Sequence, residues 1–138
     1  MNLVALFRTF VVGATACYLA WVALPYFDET LLHPEAQMLM KYDGYHSILG
    51  LPSVVSWIFV IVWVGLAIGM LLFLAPARTG YLILVIVFLF LTPLFGLRVQ
   101  SGLESYFLDA VNILDGAVLA MAYFSKVSQY FQPHSVTR

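Results

Sequence analysis

Four long apolar stretches, separated by shorter polar segments, dominate the pattern along the chain. The clearest runs from Trp57 to Ala77 and contains no ionisable side chain. At a rise of about 1.5 Å per residue, a helix of that length crosses the apolar core of a bilayer, which is about 30 Å thick. The pattern predicts four transmembrane helices, at about residues 9–26, 57–77, 81–97 and 106–124.

Prolines mark the ends of three of these helices. Pro25 ends the first, and Pro93 interrupts the third near its end. Residues 75–80, which contain Pro76, are predicted to form the short turn between the second and third helices.

The polar segments differ in length. The segment 27–56 is too long for a tight turn, and a short helix is predicted over Pro34 to Lys41, with the proline in its first turn. The stretch from Tyr42 to Leu51 is apolar enough to lie in the membrane interface. Residues 125–138 are expected to form a polar tail.

The composition agrees with a membrane protein. Hydrophobic residues make up 63% of the chain and charged residues 9%, with a mean hydropathy of +0.97. Soluble domains are roughly half apolar and a quarter charged, and a chain of this size could not bury so much apolar surface. We therefore expect an all-α integral membrane protein, a four-transmembrane-helix bundle forming a single membrane domain. A soluble enzyme and a disordered chain are excluded.

The cations favour one topology. Those on the side of the termini are Arg8, Arg78, Lys126 and Arg138, and those on the other side are Lys41 and Arg98. The positive-inside rule then places both termini in the cytoplasm. It makes segment 27–56 an outer segment and residues 125–138 a cytoplasmic tail.

Large aromatic residues lie near the predicted helix ends. They are Trp21, Tyr26, Trp57, Tyr81, Tyr106 and Tyr123. Trp and Tyr are enriched where a helix leaves the membrane, so these residues are expected to be interfacial anchors.

The fourth predicted helix is the most polar and carries the best candidate site. Asp109, Asn112 and Asp115 follow one another at a spacing of three residues, and we expect them to share one helix face. A carboxylate midway along a span must face the bundle, be paired or be protonated. Two interpretations stay open. The face is either a proton- or ion-responsive site or polar ligand contact, or a structural clasp between helices.

Arg98 is the second candidate, because it directly follows the third predicted helix. It either anchors the chain at the outer surface or forms an ion pair with Glu104 or Asp109.

Small residues recur at helical spacing. Gly65 and Gly69 are four residues apart on the second helix, and Gly116 follows Asp115 on the fourth. Such residues permit close helix packing, either within the chain or against another membrane protein or a second copy.

The sequence does not indicate a metal site, a catalytic site or a nucleic-acid-binding surface. His33, Glu35, Asp43 and His46 match no metal-binding spacing, so neither a metal nor another cofactor is predicted. No catalytic motif is present, and the net charge of −1 comes with no basic stripe for nucleic acid. The protein is therefore not expected to be an enzyme.

The order of four spans, with a lone arginine in the turn Ala75-Pro76-Ala77-Arg78, resembles the DoxX-like group of small bacterial membrane proteins. This resemblance covers most of the chain and carries over no functional residue. It implies a small multi-pass protein of the bacterial inner membrane.

Three functions remain open. The first is a non-catalytic accessory, assembly or protective subunit that docks on a larger membrane complex, and it is the one we favour. The second is a small oligomeric transporter or proton-responsive protein that uses Asp109, Asn112 and Asp115. The third is a membrane enzyme, for which the sequence offers no residue set. The expected partners are the lipid bilayer and another membrane protein or a second copy.

Overall fold

The computed structural model describes residues 2–48 and 53–132, with the side chains of 28, 29 and 53 left out. The described chain is helical, with one isolated β-bridge. Leu49 and Leu51 of the predicted interfacial stretch, and Arg138 among the counted cations, lie outside the described residues. The α-helices are α1 (Leu3–Ala23), α2 (Asp28–Leu31), α3 (Pro34–Met40), α4 (Ser53–Leu71), α5 (Ala75–Leu91) and α6 (Gly102–Phe124).

Four helices in these residues are long and apolar enough to cross a membrane, as the sequence predicts. With the 3₁₀ turns that extend two of them, the apolar spans are Leu3–Phe27, Val54–Leu71, Ala75–Phe95 and Gly102–Phe124. Large apolar side chains cover their outer surface, among them Ile61, Phe90 and Ile113, each about 70% exposed. Such a surface suits lipid and not water.

The turn between α4 and α5 lies earlier than the sequence predicts. α4 ends at Leu71, and α5 already begins at Ala75, so residues 75–80 form its first turns. Pro76 is accommodated there because amides in the first helical turn have no acceptor within the helix, so the amide hydrogen that proline lacks is not needed. Phe73, with φ of +57°, makes the reversal.

The bundle is built from two closely packed helix pairs, α1 with α6 and α4 with α5. In the second pair a Cβ added to Gly69 would lie 2.5 Å from the Cβ of Ala77, so the two backbones approach as only glycine permits. In the first pair, Gly13 of α1 meets the side chain of Leu114 on α6.

The loops at one end of the bundle dock on each other. The predicted helix over residues 34–41 forms as α3, and the chain after it pairs with the loop before α6. The Gly44 amide donates to the carbonyl of Leu97, and the Leu97 amide donates to the carbonyl of Tyr45. Gly96, with φ of +77°, lies against this backbone.

The opposite end, which we call the Arg78 end, consists of the start of α1, the α4–α5 turn and a 3₁₀ helix over Lys126–Phe131. Phe131 is buried there, and its ring packs against Phe7 and Phe73, with centroids 5.9 and 5.3 Å away. The start of the predicted polar tail is thus folded onto the bundle.

Candidate functional site

A hydrogen bond between two buried side chains lies at the centre of the bundle. The hydroxyl of Tyr81 on α5 donates to Oδ1 of Asp115 on α6, at 2.6 Å. Tyr81 is fully buried and Asp115 is 4% exposed. Because α5 and α6 belong to different helix pairs, this bond joins the two halves of the bundle.

Aromatic rings from the other two long helices close over Tyr81. Trp63 of α4 lies 5.2 Å from the Tyr81 ring, and Tyr18 of α1 stacks on Trp63 at 4.6 Å. All four long helices therefore contribute one side chain to this central cluster of Tyr18, Trp63, Tyr81 and Asp115. The indole Nε1 of Trp63 is buried and has no hydrogen-bond acceptor within the described residues.

Asp115 faces inward because it lies in the buried stripe of α6. The buried residues of that helix recur at intervals of seven, four, three and four residues, and they are Glu104, Val111, Asp115, Val118 and Ala122. This spacing keeps them on one side of a helix with 3.6 residues per turn. Apart from the carboxyl groups of Glu104 and Asp115, the stripe is apolar.

Asp109 and Asn112 do not share that face, and the expected common polar face does not form. Both are exposed, whereas Asp115 is buried. Each step of three residues falls about 60° short of a full turn, so two steps carry Asp115 about 120° away from Asp109. Residues three apart are only about 60° from each other around the helix, but over two such steps the difference is too large for all three to share one face.

One strip of the exposed side of α6 carries polar or small side chains, next to the large side chains of Tyr106 and Ile113. Asp109, Asn112, Gly116 and Ala120 are exposed along it, and we call these four residues the outer α6 face. A Cβ added to Gly116 would meet nothing within 4 Å. A shallow groove beside Asp109 is lined by Cys17, Tyr106, Ala110, Ile113 and Leu114. The side-chain amide of Asn112 has no hydrogen-bond partner in the described part of the chain.

Arg98 lies over an aromatic ring and not beside a carboxylate. Its guanidinium carbon is 5.5 Å from the ring centre of Trp21. Glu104 instead accepts a hydrogen bond from the Ser101 amide at 2.7 Å and completes the cap of α6. Within the described residues no ion pair joins Arg98 to Glu104 or Asp109.

The three predicted packing glycines have different surroundings. Gly69 is buried against Ala77 of α5, which is packing within the chain. Gly65 and Gly116 are exposed, with open space at the position of a Cβ.

The partner of Asp115 is not apparent from the sequence. The pattern predicts Tyr81 as an interfacial anchor, because the third predicted span begins there. Since α5 begins at Ala75, Tyr81 lies about 9 Å into the helix, where it faces the core. The sequence feature that could have indicated the burial of Tyr81 is Pro76, because a proline in the first turn is compatible with a helix that begins about one and a half turns before Tyr81.

The central cluster can hold a proton on Asp115 or fix the helices, and its four side chains are buried. The groove beside Asp109 and a second one between α1 and α4 are lined by other residues. Within the described residues, no three His, Cys, Asp or Glu side chains come together as metal ligands would. No family model, curated protein or solved structure matches the chain.

Proposed function

We propose that the protein is a non-catalytic, multi-pass accessory protein of a bacterial inner membrane, which docks on a larger membrane protein through the outer α6 face. The observation that carries this proposal is the position of Asn112. It lies near the middle of a membrane-spanning helix, on the exposed side, with no partner in the described chain. An amide facing lipid forgoes its hydrogen bonds, and a neighbouring helix restores them.

The residues around Asn112 support docking by a helix. Gly116 and Ala120 follow it at intervals of four residues and leave the backbone accessible. Small residues at this spacing allow a second helix to approach closely, which brings polar side chains within hydrogen-bond distance.

Asp109 favours a different protein over a second copy as the occupant. In a two-fold dimer the same face meets itself, so two Asp109 carboxylates would lie close together. Like charges facing each other at an interface cost several kcal/mol. We therefore assign the outer α6 face to a partner helix that offers a cation near Asp109 and a hydrogen-bonding side chain near Asn112.

The distribution of charge supports the cytoplasmic topology. Arg8 and Arg78 lie at one end of the bundle, whereas Lys41 and Arg98 lie at the loops of the other end. With the positive-inside rule, the Arg78 end is cytoplasmic, together with both termini.

Co-purification from native membranes tests the docking. The tagged full-length chain is solubilised in mild detergent, and its partner is measured as a molar ratio for the wild type, Gly116→Leu and Gly65→Leu. Both glycines are exposed with open space around them, so the two variants are matched in chemistry. We expect the partner to be lost from Gly116→Leu and retained by Gly65→Leu. Equal retention by both variants contradicts docking through the outer α6 face.

A second candidate function rests on Asp115. Its carboxyl group is buried in the bundle against the Tyr81 hydroxyl, and a buried carboxyl is the kind of group that proton-responsive membrane proteins use. Asp115→Asn keeps an acceptor for Tyr81 but cannot take up a proton. Proton flux in liposomes that is present in the wild type and absent from Asp115→Asn would establish this function; no flux in either protein removes it.

A further inference from the structure

The cations at the Arg78 end have no counter-charge in the described chain. Arg8, Arg78 and Lys126 all lie there. Among the described residues, the Asp and Glu side chains lie in the segment after α1, at the opposite end, or on α6, where Asp115 is the last of them along the chain. Within the described residues no carboxylate oxygen comes within 4 Å of these three cations.

Arg78 is held in place mainly by aromatic rings. Its guanidinium carbon lies 4.7 Å from the ring centre of Tyr123 and 5.4 Å from that of Phe131. Its Nη1 makes one long bond, of 3.4 Å, to the carbonyl of Ala122, and its Nε is unpaired. A guanidinium has five N–H donors, so most of those on Arg78 are unused.

Arg8 contacts the same aromatic cluster through Phe73. Its guanidinium carbon lies 5.3 Å from the ring centre of Phe73, and that ring packs on Phe131. The start of α5 is also here, three residues before Arg78, and Leu74 provides no side-chain cap for it. The dipole of α5 adds positive potential at its start.

We propose that Arg78 binds the phosphate of an anionic lipid headgroup at this end of the bundle, and that the charge of Arg8 strengthens this binding. A guanidinium donates two parallel hydrogen bonds to a phosphate, and the two Nη nitrogens of Arg78 have N–H groups left for them. Basic pockets between transmembrane helices bind phosphate-bearing headgroups in the same way. The aromatic rings fix the guanidinium in advance, which lowers the entropy lost on binding.

Native mass spectrometry of the purified full chain tests the site. The protein is mixed with dioleoylphosphatidylglycerol or dioleoylphosphatidylcholine, and the fraction that retains lipid is measured. We expect the wild type to retain the anionic lipid preferentially, and Arg78→Gln to weaken its binding about tenfold, as loss of a charged hydrogen-bonding contact does. Arg78→Lys keeps the charge but not the paired geometry, so its binding is expected to fall between the two.

Arg98→Gln is the matched control, because Arg98 also lies over an aromatic ring, with no ion pair among the described residues, but at the opposite end. It is expected to bind the anionic lipid as the wild type does. Arg8→Gln provides a second test if Arg78→Gln does not fold, because Arg8 is exposed. It is expected to weaken binding several-fold.

Inorganic phosphate separates the two possible sources of the group. If the site takes lipid, added phosphate leaves the lipid-bound fraction unchanged at millimolar concentration. Displacement of the lipid by phosphate would assign the site to a soluble phosphate instead. Equal retention of both lipids, or equal loss in Arg98→Gln and Arg78→Gln, would overturn the proposal.

Discussion

The hydroxyl of Tyr81 and the carboxyl of Asp115 form a 2.6 Å hydrogen bond between α5 and α6, which also meet where Arg78 contacts Tyr123. The closely packed pairs are α1 with α6 and α4 with α5, so this bond connects one pair to the other. The Tyr18–Trp63 stack makes a second connection, between α1 and α4. The centre of the bundle thus has features of an interhelical clasp, whichever further role Asp115 has.

Removing the donor of the clasp should destabilise the bundle. Tyr81→Phe leaves the buried Asp115 carboxyl without its partner, and we expect a loss of about 1–3 kcal/mol in the free energy of unfolding. Unfolding in detergent by a denaturant titration measures it. Tyr106→Phe is the control, because Tyr106 is 67% exposed, and it should change little.

Replacing both members of the clasp should restore most of that stability. In Tyr81→Phe/Asp115→Leu neither the donor nor the acceptor of this buried hydrogen bond remains. The double variant is therefore expected to unfold at a higher denaturant concentration than Tyr81→Phe alone. The same denaturant titration compares them. A double variant less stable than both single variants would show that the pair does not act as a unit.

The close approach of α4 and α5 makes a prediction about two glycines. Gly69→Ala forces the new Cβ against Ala77, so the helices must separate, and overpacking of this kind costs about 1–3 kcal/mol. Gly65→Ala adds a methyl group in open space and should not destabilise. Thermal unfolding of the two variants in the same detergent tests the difference. Equal melting temperatures would mean that α4 and α5 do not meet at Gly69.

The docked loops depend on Gly96 more than on Gly44. Both have a positive φ, so an alanine at either position incurs backbone strain of about 1–2 kcal/mol. At Gly96 the added Cβ would also lie 2.5 Å from the carbonyl oxygen of Tyr45, whereas at Gly44 it meets nothing within 4 Å. We expect Gly96→Ala to speed hydrogen exchange at the Leu97 amide much more than Gly44→Ala does. The opposite order would argue against the loop pairing.

The aromatic cluster at the Arg78 end makes the chain after α6 part of the fold. Phe131 is 2% exposed, and Phe131→Ala should cost about 3–5 kcal/mol, as for a large buried side chain. Phe124 is 91% exposed, so Phe124→Ala serves as the control and should cost little. Limited proteolysis provides the readout, with faster cleavage between residues 125 and 132 in Phe131→Ala only.

The sequence predicts the four spans because each is a long apolar run, and the structure confirms four such helices in the described residues. The turn predicted from the sequence lies later in the chain than the observed α4–α5 turn, because hydropathy alone does not distinguish the apolar residues of a turn, such as Phe73, from those of a helix. The same error hides Tyr81, whose burial follows from a helix start at Ala75.

The polar residues of α6 show a second limit of the sequence. A spacing of three residues suggests one face, but the drift of the helix sends Asp115 inward and Asp109 outward. Which of them faces the core depends on where α6 packs on α1, and that requires the tertiary structure. No sequence pattern predicts that Trp63 belongs to the central cluster, because it is one apolar residue among many on α4.

Photocrosslinking in the native membrane tests docking through the outer α6 face most directly. A photoreactive residue is placed at Gly116 or Ala120, and, as controls, at Ile61 or Phe90, which are exposed on α4 and α5. We predict adducts to one protein from the two α6 positions, reduced when Asn112→Leu is added, and only lipid adducts from the controls. Lipid adducts alone at Gly116 and Ala120, or an adduct to a second copy of the chain, would contradict the proposed docking.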